Sequence, residues 1–243
     1  MTRTSLSNNL GGVAIKYSTN KGEIMTNIIF SIIGIIGGLL CAIGDIFIDL
    51  KGRDNVESGA EPKFINSNWD KMSPWRFRLS ILLATFGVPM TVLGGITLAN
   101  IVAESSAFMG NFLLIAVVVG GVGGFFIHAS ICLVPIIYLK ARDLAGSDVA
   151  EKIVYHKWDA IKVPFMFMYL ILIVVTSILV IVSICLQYLA VPMWCVILNP
   201  LVFLIIGVML RLVCNKVFYE LPGIIMPSMG LAMYGVLCII ALL

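Results

Sequence analysis

Charge is the scarcest resource in this sequence. Asp, Glu, Lys and Arg together make up 12% of the 243 residues, while apolar residues make up 60% and mean hydropathy is +1.06. A soluble domain carries about 25% charged residues, so too little polar surface is present to cover a body in water, and the outer face suits lipid. No basic stripe lies outside the apolar runs, which excludes a nucleic-acid binder. Histidine is present only as His128 and His156. A hydrolytic zinc centre usually takes three protein ligands, so no metal site is expected and no cofactor is implied. Six cysteines occur, none in a CxxC pair and all in or beside apolar stretches. That spacing supports neither a disulfide framework nor a zinc site, and they read as small apolar packing residues.

What the sequence has in quantity is long apolar runs. A transmembrane helix needs about 20 mostly apolar residues to cross about 30 Å of hydrocarbon. Six segments meet that requirement: 27–50, 77–102, 108–139, 163–188, 191–213 and 223–243. The runs are continuous, unlike the short alternating strands of a β-barrel. The expected fold is an all-α membrane protein, a single six-span transmembrane helix bundle over residues 25–243. Residues 1–24 are expected to form a disordered tail without the apolar core of a signal peptide, and Met25 offers a second start.

Lysine and arginine set the orientation. The 1–2, 3–4 and 5–6 connections with their flanks hold thirteen basic residues, against three on the other side, all in the tail. The positive-inside rule then places the long loops in the cytoplasm and both termini outside a cytoplasmic membrane. The 3–4 loop, 141–161, is expected to form a short amphipathic helix on the inner leaflet or over the cytoplasmic mouth. In the 1–2 loop, Trp69 and Trp75 are expected at headgroup level, with Pro74 near a helix start. Glycines cluster in helix 1 (Gly34, Gly37, Gly38, Gly44) and helix 3 (Gly120, Gly121, Gly123, Gly124). Small residues let backbones approach, so helices 1 and 3 are expected to be the sites of close central packing.

Candidate chemistry is one-sided. Asp45 and Asp49, spaced four apart, share a helix face. Asp45 lies about 9 Å of helix rise before Lys51, and His128 about 18 Å before Lys140. Ionisable groups at such depths face the bundle or a cavity. A carboxylate there suits a general base or cation site, and imidazole suits proton transfer. An ion pair of Asp45 with Arg76, Arg78 or Arg211 is the structural alternative. The 9 Å difference in depth implies that Asp45 and His128 meet only through helix tilt or an intervening group. Asn199-Pro200 reads as a mid-helix kink, with Asn199 satisfying freed backbone or a ligand. Glu220 and Ser228 flank a Pro-Gly break before helix 6 that resembles a cavity-lining broken helix. Ser80 opens helix 2. Asp45, Asp49 and His128 are the expected catalytic residues, with Arg76, Arg78, Ser80, Asn199, Arg211, Glu220 and Ser228 expected to bind substrate. Apart from Asn199, all of these fall between mid-membrane and the cytoplasmic face, which implies one inward-opening polar cavity.

Gly44-Asp45, His128 and the stretch from Leu221-Pro222-Gly223 to Pro227-Ser228 resemble an uncharacterised family of bacterial membrane proteins, a resemblance that spans all six helices and implies no activity. Gly44-Asp45 and Gly124-Phe125-Phe126-Ile127-His128 also resemble two short motifs of the lysoplasmalogenase family of intramembrane ether-lipid hydrolases. That resemblance implies catalytic roles for Asp45 and His128. Three functions follow as expectations: an intramembrane enzyme acting on a lipid or amphiphile, a small proton- or cation-coupled transporter, and a structural or accessory subunit. Membrane lipids are the expected partners in each.

Overall fold

The computed structural model describes residues 21–58, 65–220 and 225–243. Seven helices account for most of them. They are α1 (Lys21–Asp49), α2 (Pro74–Ser105), α3 (Ala107–Ala145), α4 (Ser147–Cys185), α5 (Pro200–Val213), α6 (Asn215–Phe218) and α7 (Met226–Leu242). α1 to α4 are long and apolar enough to cross a membrane. α5 and α7 are shorter apolar helices, about 21 and 26 Å long at 1.5 Å per residue. The protein is therefore an all-α membrane protein by its helices, with four candidate spans. Residues 1–20 of the expected tail and 221–224 of the expected break before helix 6 lie outside the described residues. Lys21–Ile24, expected in the tail, belong to α1.

Local chemistry sets the helix ends. Ser106 separates α2 from α3, and its side chain caps α3 by accepting from Met109 N. Pro74 occupies the first turn of α2, where its missing N–H costs nothing. Gly146, at φ 86°, is the whole connection between α3 and α4. The left-handed region favours glycine there, because a Cβ would clash with the following carbonyl. The expected 141–161 loop therefore does not exist as a loop. Its residues extend two helices beyond their apolar runs, since nothing in 141–161 except Gly146 breaks helical geometry.

Residues Leu170–Val175 of α4 form a π-helical turn, the kind of irregularity that inserts an extra residue and redirects a helix face. The other interior correction concerns Asn199-Pro200. The dipeptide starts α5 instead of kinking a longer helix: Asn199 Oδ1 accepts from Val202 N at 3.0 Å and Pro200 fills the first turn. Asn199 is a helix cap, fully buried beside α7.

Helices 1 and 3 both pack closely, though chiefly on other helices than each other. α1 packs chiefly on α2 and α7, whereas α3 packs on α2 and α4. A methyl group on Gly34 would lie 2.6 Å from the Cα of Gly94 in α2, and one on Gly38 would lie 2.6 Å from the Cβ of Ala232 in α7. Gly120 faces Leu172 of α4. Both glycine clusters serve close packing, but with α2, α4 and α7 as the partners.

Two apolar clusters flank the bundle's middle. The first, at the charge-poor end, includes Leu98, Val102, Leu113, Val180, Ile184 and Leu237. The second, at the charge-rich end, includes Ile48, Trp69, Phe77, Cys132 and Val154. Trp69 is buried there against Tyr138, with ring centroids 5.5 Å apart, while Trp75 is exposed. The α1–α2 connection carries a two-residue antiparallel ladder, β1 (Glu57–Ser58) on β2 (Ile65–Asn66), with Glu57 opposite Asn66.

Candidate active site

The site sits where α1, α2, α3 and α7 converge. The buried Ser80 of α2 donates its hydroxyl hydrogen to the carbonyl of Gly44 on α1, at 2.8 Å. Its Oγ lies 3.0 Å from His128 Nε2 on α3. A hydroxyl has one hydrogen, and the Gly44 carbonyl has none to give. A hydrogen therefore lies in each contact only when Nε2 carries a proton and donates to Ser80. The neutral imidazole is then left with its lone pair on Nδ1.

That Nδ1 lies 3.8 Å from Oδ1 of Asp45. The distance is too long for a direct hydrogen bond and short enough for a single bridging atom to span. The other carboxylate oxygen, Oδ2, accepts from Ser228 Oγ of α7 at 2.6 Å. A chain of polar groups thus runs from Ser228 through Asp45 and His128 to Ser80 and the α1 backbone. Asp45 and His128 come close where Ser80 links the α1 backbone to the His128 ring.

The side chains of Asp45 and His128 are 16% and 22% exposed, enough to contact a ligand. Both line two adjoining cavities. One, of about 110 Å³, reaches toward Thr91, Val117 and Tyr234. The other, of about 390 Å³, reaches toward Asp49, Phe165 and Tyr169. Tyr234 Oη donates to Thr176 Oγ1 at 2.8 Å, and beyond it the first apolar cluster closes the charge-poor end. Among the described residues no group of three or more His, Cys, Asp or Glu is placed to hold a metal ion.

The remaining expected residues divide by location. Asp49 lines the 390 Å³ cavity and a polar cavity of about 590 Å³ at the charge-rich end. Arg211 and Glu220 also line that polar cavity. Glu220 accepts from Lys51 N at 3.1 and 3.2 Å. Burial pushes the Glu220 carboxyl above its usual range, and the Lys51 N–H opposes this in part. Arg76 does not pair with Asp45. It donates to the Leu50 and Ile46 carbonyls, at 2.9 and 3.4 Å, and so caps the end of α1. Arg78 is exposed on α2, and Asn199 caps α5. The Asp45–arginine ion pair raised as an alternative does not form among the described residues.

The sequence pattern of a family of unknown function, DUF6796, matches residues 19–243. The chain belongs to this family. The match runs through every helix described above and includes Asp45, Ser80, His128 and Ser228. No curated protein and no solved structure matches the chain.

Sequence reasoning missed an aromatic wall of this DUF6796 protein. Trp158, Phe165 and Tyr169 follow one another along α4, with ring centroids 5.7 and 5.9 Å apart. Phe165 and Tyr169 line the 390 Å³ cavity. Their spacing of seven and then four residues marks one helical face, a signal present in the sequence. Cys41, one turn before Asp45 on the same face, lines the smaller cavity.

Proposed function

We propose that this protein is an intramembrane enzyme that acts on a lipid or other amphiphile by acid–base chemistry at Asp45 and His128. The observation that carries the reading is the 3.8 Å approach of Asp45 Oδ1 to His128 Nδ1 at the wall of two joined, mostly apolar cavities. A charge held within a bilayer is costly unless it is paired, so the Asp45 carboxylate and the imidazolium that forms when His128 takes up a proton are read as one neutral ion pair. His128, with its lone pair on Nδ1, accepts a proton from water or a substrate hydroxyl. Asp45 stabilises the imidazolium that forms, and Ser228 holds Asp45 in place. General acid–base catalysis of this kind contributes about 10²–10⁴-fold.

The architecture that goes with this reading has six crossings, α5 and α7 being the two short ones. The charge-rich end faces the cytoplasm and both termini face outward. The thirteen-to-three distribution of basic residues supports that orientation. The closed apolar cluster at the other end favours an enzyme over a through-going transporter. The likeness of Gly44-Asp45 and the Gly124–His128 stretch to intramembrane ether-lipid hydrolases points to the same two residues.

The test is a lipid inventory. Proteoliposomes made from a mixed lipid extract are incubated and profiled by mass spectrometry. Time-dependent loss of a lipid with the wild-type chain, absent with Asp45→Asn, supports the enzyme. An unchanged inventory, with accumulation of a solute inside the vesicles, supports the transporter. An unchanged inventory without accumulation leaves an accessory role.

A further inference from the structure

The 590 Å³ cavity lies where α1 and α5 both end, and its charged lining comes from separate stretches of chain: Asp49, Lys51, Arg53, Glu57, Arg211 and Glu220. Two of its carboxylates are engaged. Asp49 Oδ1 lies 3.5 Å from Lys51 Nζ, and Glu220 receives the Lys51 N–H. Arg53 and Arg211 are different. Both are exposed, and neither has a hydrogen-bond or ion-pair partner among the described residues. Glu57 likewise makes no ion pair among them. The three carboxylates of the lining balance its three cations, but the two guanidinium groups without a partner among the described residues leave an excess of hydrogen-bond donors in a single cavity. Guanidinium presents five N–H donors in a fixed fork that matches phosphate, and such charge-assisted pairs are the strong ones.

The position of the cavity argues for a lipid as the source of that phosphate. Arg211 is followed by Leu212 and Val213, 74% and 82% exposed, an apolar surface beside the mouth. Asp49 lines both this cavity and the 390 Å³ cavity, and it sits one helical turn after Asp45. A polar volume and an apolar volume therefore meet at one side chain. We infer that Arg53 and Arg211 bind the phosphate of a membrane phospholipid headgroup, while an acyl chain of the same molecule enters the 390 Å³ cavity past Asp45 and His128. The inference rests on the amphiphile reading of the site and names its substrate class.

The test measures binding, so it does not need turnover. The full chain is delipidated in detergent and offered dioleoylphosphatidylglycerol, dioleoylglycerol or inorganic phosphate, with retention read by native mass spectrometry. The wild-type chain retains the phospholipid about tenfold better than the diacylglycerol, the worth of one strong charged contact. Arg53→Gln/Arg211→Gln removes the preference with an unchanged melting temperature, since both side chains are exposed. Asp45→Asn keeps it, which separates the headgroup site from the fate of the catalytic reading. Equal retention of the two lipids, or a preference that survives the double substitution, overturns the inference. Inorganic phosphate that binds alone and displaces the phospholipid overturns the lipid source.

Discussion

Ser80 holds His128 to the backbone of a different helix, accepting from Nε2 at 3.0 Å while donating to the Gly44 carbonyl at 2.8 Å. One hydroxyl thereby fixes both the ring's orientation and its tautomer. Ser80→Ala leaves Nε2 without a protein partner in a buried position. A loss of about 1–3 kcal/mol in stability is expected for such an unsatisfied group. Nitrogen NMR of labelled histidine is expected to show His128 as the Nε2–H form in the wild-type chain and as a mixture in Ser80→Ala. A wild-type Nδ1–H form contradicts the assignment.

Close helix contact at Gly34 makes a second prediction. A methyl group there meets the Cα of Gly94, and backbone cannot swing aside as a side chain can. Gly34→Val is expected to cost about 1–3 kcal/mol through overpacking, seen as a lower melting temperature in detergent. A similar substitution at Gly22, where a Cβ meets nothing within 4 Å, is expected to leave it unchanged.

Asn199 separates a structural role from a catalytic one. Its side chain caps α5, so Asn199→Ala is expected to lower stability by about 1 kcal/mol. Any lipid turnover measured per folded molecule is expected to stay at the wild-type rate. A turnover defect without a stability defect would return Asn199 to the substrate site.

The pH dependence of Glu220 has a definite sign. Burial raises its pKa above the ordinary value of 4.5, so the folded state prefers the protonated acid. The stability this contributes is complete below the unfolded pKa and is lost as pH rises through the raised folded value. Glu220→Gln keeps an oxygen acceptor for Lys51 N–H and cannot ionise. Relative to the wild-type chain it is expected to gain stability between about pH 4 and neutrality, tested by melting curves across that range. A difference independent of pH contradicts the assignment.

How much of this was legible in the sequence depends on what each signal measures. Asp45, His128, Ser80 and Ser228 stood out because polar groups are rare in apolar runs, and the structure brings these four together. Their mutual distance was not legible. It depended on how α1 and α3 pack through Ser80, which spacing along a single helix does not state. Asn199-Pro200 misled for a different reason. An Asn cap with Pro in the first turn has the same dipeptide as a mid-helix kink, and only the turn at Met193–Ile197 distinguishes them. The glycine clusters announced close packing without naming partners, because a small residue accepts any neighbour that fits. The Phe165–Tyr169 wall was readable from its spacing, but aromatic residues in an apolar helix usually mean lipid or core contact.

The central claim is that Asp45 and His128 work as one unit on a membrane amphiphile. It is tested most directly by the turnover rates of Asp45→Asn, His128→Gln and the double variant, on the lipid that the proteoliposome inventory identifies. Residues that act as a unit are strongly non-additive. The account predicts that the double variant is no slower than the slower single variant. A double variant whose loss equals the product of the two single losses would show independent roles and contradict it.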